Sequence, residues 1–378
     1  MKTSRRIVSL IAAMLLLISL AACGSSEETA EEAPKVSATM PAEPTPEPTE
    51  APAEATPVPA QEAAELDAEP INPLTGEAAA EDMSSVRPYA VMINNHRYAQ
   101  PQAGISQADM IWELMEEGGI TRMMGIFTDL SDVERVGTIR SARKYNVSVA
   151  QALDAIFVHA GGSDEALNYI DEIGLADICF VRGRYSPSST FYRDPTRQSH
   201  GIEHSLFAIG EKLIESAENY GYRENHYDGF DGTYGLSFSD TAEEQCTEPA
   251  TYIQVNYAGG KTSSFFYDED TGLYSMEQFG DTYTDDGYDN VRFKNVIVMY
   301  ADTHLQSDGL HLTIDLTGSN RGYFCCGGKY VPIRWNRSGE SDNFHFTLED
   351  GTPLALGVGT TFVAVNQSGS YSGSTDFG

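Results

Sequence analysis

The chain has 378 residues, with 24 Lys and Arg against 56 Asp and Glu, and a formal net charge of −32. So acidic a chain repels nucleic-acid phosphates and anionic lipid headgroups. This excludes general binding to nucleic acids and electrostatic attachment to anionic membranes. The length predicts two domains rather than one, and the hydrophobic fraction of 41% is that of a globular protein.

The first residues predict a lipoprotein signal peptide over 1–22. Three basic residues precede an uncharged apolar run, 7–22, which is too short to span a bilayer comfortably. The run ends in Leu-Ala-Ala-Cys-Gly, a lipobox, which predicts diacylglycerol and palmitate on Cys23. Acyl chains contribute about 0.8 kcal/mol per buried CH₂, so two or three of them anchor a protein stably. We therefore expect a lipid-anchored protein on the extracytoplasmic face of the cell membrane, the alternative being an unmodified cysteine in the signal segment.

Residues 23–70 predict a disordered acidic linker rich in Pro, Glu, Ala and Thr. The segment has no aromatic residue, so it buries too little apolar area to offset the entropy of ordering its chain. Residues 27–86 contain 15 acids and one lysine, and the prolines favour an extended chain. This composition indicates a stalk between the membrane and the folded part.

Residues 71–221 predict a mixed α/β layer domain, because strand and helix patterns alternate along them. Strands are predicted at 87–95, 155–163 and 177–181, with a hairpin at 109–127 and a short strand that enters a loop at 137–146. Helices are predicted at 146–154, at 163–174 with Ser163 as the N-cap, and at 203–221.

Residues 222–366 predict a β-rich domain of the sandwich or barrel-like type, because short strand patterns alternate with Gly, Asp and Asn turns. The predicted strands are 250–257, 262–268, 272–278, 291–300, 311–316, 322–336 and 360–367. Residues 367–378 have no apolar pattern and predict a flexible tail. The fold class expected for the whole chain is therefore α/β or α+β, with a β-rich second half.

Segments in both halves occur together in one known family. They include INPLTG, RPYAVMINNH, VGTIRSARKY, VHAGGS, TFYRD, EHSLF, FFYDEDTGLYSMEQFG and DLTGSNRGYFCCGGKYVPIRW. On these segments the chain resembles the YerB-type lipoprotein family over residues 71–366. The resemblance implies a cell-surface lipoprotein with two consecutive domains of unknown function, and it implies no reaction. The segments QCTEPATYI and DTYTDDGYDN depart from the family pattern.

Arginine is concentrated in residues 87–197, which hold 11 of the 24 basic residues, ten of them arginine, against 14 acids. A planar, permanently charged guanidinium suits phosphate or carboxylate, and binding residues often lie on loops. The predicted anion-binding residues are Arg122, Arg140, Arg143 and Arg193. The alternative is a structural role, in which these arginines pair with nearby acids: Asp109, Glu113, Glu134 or Asp194.

Three further polar residues are candidates for the same site: Asp109, Glu113 and His204. Residues 200–204 also spell H-x-x-E-H, a spacing that on a helix places two histidines as zinc ligands. No third ligand stands at a useful spacing, so we predict no metal and no cofactor. The acidic loops 228–232 and 281–290 lack the full spacing of a calcium loop and are interpreted as solvated turns.

The cysteines after Cys23 do not indicate a metal or redox motif, because none of them forms a C-x-x-C pair. They are Cys179, Cys246, Cys325 and Cys326. A disulfide is compatible with an extracytoplasmic protein, and the sequence leaves its pairing open.

The function predicted from these observations is binding or scaffolding at the cell envelope. The bilayer is the expected partner through Cys23, with an anionic envelope ligand or a protein as a second partner, and no nucleic acid. The alternative is an enzyme that acts on a phosphate-bearing lipid-linked or wall-polymer substrate held by the arginine-rich loops. Solute capture for a transporter is less favoured, because capture proteins have two similar α/β lobes and the second half here predicts only strands.

Overall fold

The computed structural model describes residues 70–183, 189–287 and 290–378. The predicted signal peptide, Cys23 and all of the predicted linker except residue 70 lie outside the described residues, as do 184–188 and 288–289. Within the described part, no helix has the length and apolar character needed to cross a membrane.

The first half of the described chain contains eight strands and three α-helices. The strands are β1 (Tyr89–Asn95), β2 (Met110–Met115), β3 (Thr121–Phe127), β4 (Val136–Gly137), β5 (Ile156–His159), β6 (Asp177–Cys179), β7 (Phe191–Arg193) and β8 (Leu206–Ala208). The helices are α1 (Lys144–Ala152), α2 (Asp164–Ile173) and α3 (Gly210–Tyr220). Short 3₁₀ turns lie at Arg97–Ala99, Ile105–Gln107, Glu117–Gly119, Gln198–His200 and Ile202–His204.

The second half is built from strands, with one 3₁₀ turn at Ala242–Gln245. The first strands are β9 (Phe238–Ser239), β10 (Glu248–Pro249), β11 (Tyr252–Asn256), β12 (Thr262–Asp268), β13 (Leu273–Gln278), β14 (Asp281–Thr282), β15 (Arg292–Phe293) and β16 (Asn295–Leu305). The remaining strands are β17 (Leu312–Ile314), β18 (Gly318–Cys326), β19 (Lys329–Arg337), β20 (His345–Leu348), β21 (Leu356–Gly357), β22 (Thr361–Ser368) and β23 (Ser374–Phe377).

A large sheet of 12 strands joins the two halves, in the order β10-β19-β18-β16-β22-β2-β3-β1-β5-β6 with β17 and β20 at its side. The β2–β3 and β1–β3 pairs are antiparallel, whereas β22 runs parallel to both β2 and β16. Seven of the eight residues of β22 are buried. A strand that is buried on both faces and paired on both edges forms the centre of a sheet, and its apolar run Phe362–Val365 suits that position.

A sheet of six strands, β14-β13-β12-β11-β23 with β15 beside β13, packs on the large sheet. Phe265 on β12 contacts Phe362 on β22 with ring centroids 4.9 Å apart. Two small sheets, β4-β8-β7 and β21-β9, complete the described strands. The fold is mixed and strand-rich, as the sequence predicts.

Two predicted elements are wrong. The helix predicted over 203–221 begins only at Gly210, because Leu206–Ala208 is β8 and pairs with β4 and β7. The tail predicted from residue 367 is also ordered in part, because β23 pairs with β11 and the ring of Phe377 stacks on Tyr330 at 3.9 Å. In both cases a partner strand distant in sequence decides the conformation.

The predicted boundary at residues 221–222 is crossed by the large sheet. Strands β1, β2, β3, β5 and β6 precede that boundary and β10, β16, β18, β19 and β22 follow it. The described residues form one compact unit. The division into two domains therefore stays a prediction about sequence organisation.

Candidate anion-binding site

Arg140 lies beside β1, and no residue that the structure describes forms an ion pair with it. Its backbone N–H donates to the carbonyl of Met92 at 3.1 Å, so residues 138–140 run along β1. The side chain is half-buried, and among the described residues it forms no hydrogen bond and no ion pair. Burial, together with the charge of Arg122, lowers the pKa of Arg140. Binding of an anion to a desolvated guanidinium that lacks an acceptor lowers the free energy of the system.

Two histidines lie next to Arg140, and their rings stack on each other. The ring centroids of His96 and His204 are 4.8 Å apart, and Tyr98 contacts both rings from an exposed position. His96 follows directly after β1, and His204 ends a 3₁₀ turn. We call Arg140, His96, His204 and Tyr98 the arginine–histidine patch.

Hydrogen bonds fix the orientation of both imidazoles. The Nδ2 of Asn94 donates to Nδ1 of His204 at 2.9 Å, and the backbone N–H of Tyr98 donates to Nδ1 of His96 at 3.2 Å. Both rings therefore accept at Nδ1 and carry their proton at Nε2. Burial, with the nearby charge of Arg140, lowers the pKa of each histidine. The patch thus offers N–H donors beside an unpaired positive charge.

Arg122 and Arg143 are paired with carboxylates, although not with those that the sequence suggested. Arg122 donates to Glu116 at 2.7 Å and to the carbonyl of Ser141 at 2.7 Å. Arg143 forms a two-pronged pair with Glu117, with its Nη2 2.6 Å from Oε2. Burial raises the pKa of Glu116 to about 7, against the opposing effect of Arg122 and Arg143. This network borders the arginine–histidine patch, and Glu116 and Glu203 act on Arg140 only through space, without a hydrogen bond or ion pair to it among the described residues.

Arg193 lies on the short strand β7 and forms no ion pair with any residue that the structure describes. Its Nη1 donates to the carbonyl of Ile202 at 2.5 Å, and its guanidinium lies 5.1 Å from the ring centroid of Phe180. The first contact joins β7 to the turn that carries His204, and the second joins β7 to the residue that follows β6. The place of Arg193 in an anion site stays a prediction.

Asp109 and Glu113 form no contact with Arg140 among the described residues, and both oxygens of each carboxylate accept hydrogen bonds from other residues. Asp109 precedes β2, at the opposite end of that strand from Glu116, and accepts hydrogen bonds from Asn72 and Thr128. Glu113 is completely buried. Its carboxylate accepts from five side chains: Asn95, Thr121, Tyr257, Ser263 and Gln278. Three of these donors belong to the six-stranded sheet: Ser263 lies on β12, Gln278 on β13, and Tyr257 directly follows β11. Glu113 therefore links the large sheet to the six-stranded sheet.

The H-x-x-E-H segment does not form the helix that a zinc site of that spacing needs. Gln198–His200 and Ile202–His204 are separate 3₁₀ turns on either side of Gly201, whose φ is +119°. His200 instead contacts Tyr98, at 5.7 Å between ring centroids. The four described cysteines are free and buried.

Asp285, in the acidic loop 281–290, has a structural role in the fold. This carboxylate accepts from the backbone N–H groups of Gly104 and Ser106, at 2.8 and 2.7 Å. Of the other residues around the patch, His96 is one that the sequence indicates, because Asn94, Asn95 and His96 end the first predicted strand and ligands often bind at strand ends. The pairing of Arg143 with Glu117 had no comparable indication.

Comparison with known proteins identifies the family. Residues 74–223 match the family model described as "Protein of unknown function (DUF3048) N-terminal domain", and residues 253–363 match the model of its C-terminal domain. "Putative lipoprotein YerB" of Bacillus subtilis (strain 168) is 29% identical over 297 residues, which cover 78% of this chain and 85% of that protein. This chain belongs to the YerB-type lipoprotein family.

A solved structure of a YerB protein agrees with this assignment. The crystal structure of YerB from Bacillus subtilis superimposes with a TM-score of 0.68 at 26% identity, covering 81% of this chain and 99% of that one. The arginine–histidine patch lies within residues 74–223, which match the N-terminal model of the YerB-type family. The six-stranded sheet lies mostly within the C-terminal model, residues 253–363.

Proposed function

We propose that this protein is a membrane-anchored extracytoplasmic lipoprotein that binds an anionic ligand of the cell envelope at the arginine–histidine patch. The observation that carries the proposal is Arg140, a half-buried guanidinium without a hydrogen bond or ion pair among the described residues. Burying an unpaired charge costs free energy, and binding of a counter-ion at such a site offsets part of that cost. Arg122 and Arg143 of the neighbouring network are already paired with carboxylates, which leaves Arg140 as the anion contact.

The cellular location in this proposal rests on residues 1–23. Their lipobox supports lipid attachment at Cys23, and the name of the relative in Bacillus subtilis is that of a lipoprotein. The acidic segment 23–70 would act as the stalk, with residues 71–221 and 222–366 as the two domains above it.

The first experiment measures binding of phosphate, pyrophosphate, a lipid-linked sugar pyrophosphate and wall fragments to the full-length protein in detergent, by titration calorimetry. Hydrogen bonds to charged groups contribute about 1.5–3 kcal/mol, so Arg140→Ala should weaken binding by about 10- to 150-fold. Arg334→Ala is the matched control, because it removes the same charge from an exposed position on β19. Equal losses in both variants, or no binding by any anion, would reject the proposal.

An envelope enzyme is the second candidate, and the neighbouring histidines favour it. His96 and His204 have pKa values lowered by burial, so each is neutral near pH 7 and presents its Nε2–H as a hydrogen-bond donor to a bound phosphate. The same titrations, followed by phosphate release from the lipid-linked pyrophosphate, separate the two functions. Binding without release supports a binding protein, and release that is lost in His204→Gln supports the enzyme.

A further inference from the structure

A second cluster of chemically competent side chains lies at the edge of the large sheet, apart from the arginine–histidine patch. Strands β5 and β6 pair in parallel, with His159 opposite Cys179 and Phe157 opposite Asp177. Asp177 and Cys179 are two residues apart on β6, so their side chains lie on one face. The topology therefore brings an imidazole, a thiol and a carboxylate together from two segments 18 residues or more apart in sequence.

The distances suit one metal ion. The ligand atoms of His159, Asp177 and Cys179 all lie within 4.8 Å of one another, and Nε2 of His159 is 3.1 Å from Oδ2 of Asp177. Nitrogen and oxygen ligands about 2.0–2.1 Å from a tetrahedral ion lie roughly 3.3 Å apart. The observed Nε2–Oδ2 separation is therefore close to that of two ligands on one ion.

The hydrogen bond on the other side of the imidazole selects the ligating nitrogen. Nδ1 of His159 lies 2.7 Å from the carbonyl oxygen of Gly161, which accepts and cannot donate, so Nδ1 carries a proton. Nε2 then faces the carboxylate of Asp177, an arrangement that is satisfied either by a second proton on the imidazole or by a metal ion between the two groups. Metal-ligating histidines use their second nitrogen in this way, and the ring of Phe157, stacked at 4.8 Å, holds the imidazole in place.

We infer that His159, Asp177 and Cys179 bind a zinc-type transition-metal ion. A set of one thiolate, one imidazole and one carboxylate suits zinc, whereas calcium and magnesium prefer oxygen ligands alone. Within residues 70–183, 189–287 and 290–378 this is the one group of three such side chains close enough to share an ion. Three protein ligands leave a fourth coordination position for water or another donor. His159 is fully buried, and Asp177 keeps 18% of its side chain exposed, which gives the ion a route from solvent.

The test titrates cobalt(II) into the full-length protein in detergent, after reduction and removal of metals. Cobalt(II) bound to a thiolate gives a charge-transfer band in the near ultraviolet, so the expected result is such a band that saturates at one ion per chain. Zinc should displace the cobalt and abolish the band. Cys179→Ser should remove the band, and Asp177→Asn should weaken cobalt binding by at least about tenfold, since even residues that only support metal ligands contribute 10- to 100-fold.

Cys246→Ser is the matched control, because Cys246 is also buried and free but lies outside the cluster, and its band should remain. Asp177→Asn keeps the size of the side chain and thus tests the site if Cys179→Ser fails to fold. The inference is overturned by the absence of a thiolate band in the folded wild-type protein. It is also overturned by a band that persists in Cys179→Ser. The cluster would then be an imidazole–carboxylate ion pair that holds β5 to β6.

Discussion

At the scale of single residues, Arg122, Arg140 and Arg143 have different environments. Arg122 and Arg143 donate to Glu116 and Glu117, whereas Arg140 has no such acceptor within the part of the chain that the structure describes. A paired guanidinium stabilises the fold, and an unpaired half-buried one carries a desolvation cost that a ligand can relieve. The same residue type thus has a structural role at two positions and a proposed binding role at the third.

The pH dependence of anion binding follows from the groups around Arg140. Burial lowers the pKa of His96 and His204 below the ordinary 6.5, and burial raises the pKa of Glu116 to about 7. Glu116 therefore gains its proton as pH falls through about 7, and the two histidines gain theirs at lower pH, below 6.5, so the patch becomes more positive as pH falls. Glu203, whose carboxylate is stabilised by its own backbone N–H and has a lowered pKa, stays charged. Affinity for an anion should therefore rise as pH falls from 7.5 to about 5.5.

Sulfate is the suitable anion for this measurement, because it keeps two negative charges over the whole range. If bound sulfate raises the pKa of one histidine by one unit, its affinity should increase about tenfold at low pH. The double variant His96→Gln with His204→Gln should lose the rise in affinity below pH 6.5 and keep the rise near pH 7 that comes from Glu116, and a variant at the exposed His345 should lose neither. An affinity that is constant, or that rises with pH, would contradict the role of the two histidines.

At the scale of elements, α2 and the segment 203–221 show where local patterns suffice and where they fail. The hydroxyl of Ser163 accepts from the backbone N–H of Ala166 at 3.2 Å, Asp164 and Glu165 occupy the first turn, and Gly174 ends the helix with φ +64°. All of these determinants lie within the helix and its caps. Residues 206–208 have helical neighbours in sequence, but their hydrogen bonds go to β4 and β7.

Removing the N-cap should weaken α2 by a predictable amount. Ser163→Ala should lower the free energy of unfolding by about 1 kcal/mol, because the N–H of Ala166 loses its acceptor. Urea unfolding of the full-length protein, followed by circular dichroism, measures the change. Ser307→Ala, at an exposed turn outside any helix or strand, should change stability by less than about 0.5 kcal/mol. Equal effects at both positions would show that the cap contributes nothing.

At the scale of the whole molecule, β22 connects the two halves of the chain. It pairs with β2 over Met110–Leu114 and with β16 over Asn295–Asp302. Glu113 adds a buried polar link, because its donors Tyr257 and Ser263 lie on the other side of the predicted boundary. A sheet that shares a central strand does not separate without exposing its core, so both halves should unfold together.

The two tryptophans test this cooperativity, since Trp112 lies on β2 and Trp335 on β19. The variants Trp112→Phe and Trp335→Phe each leave one fluorescent reporter, in opposite halves of the sequence. In each variant, urea unfolding followed by tryptophan fluorescence and by far-ultraviolet circular dichroism should have the same midpoint. Trp335→Phe should be the less stable, because the indole N–H donates to the carbonyl of Tyr300 at 2.8 Å. Separated midpoints would indicate two independently folding domains.

The sequence by itself determined the elements whose causes are local. The strand at 87–95, the hairpin at 109–127, the capped helix at 163–174 and most strands of the second half follow from apolar periodicity and from turn and cap residues. The family also follows from the sequence, because its segments keep their order along the chain.

Only the tertiary structure decided which distant residues meet. Nothing local indicates that β22 lies between β2 and β16, that β23 pairs with β11, or that Glu117 neutralises Arg143 while Arg140 stays unpaired. The cluster of His159 with Asp177 and Cys179 likewise depends on the register of two parallel strands. Strand pairing and ion pairing are set by packing across the whole chain, so a charge or a thiol acquires its role only when the fold supplies its neighbours.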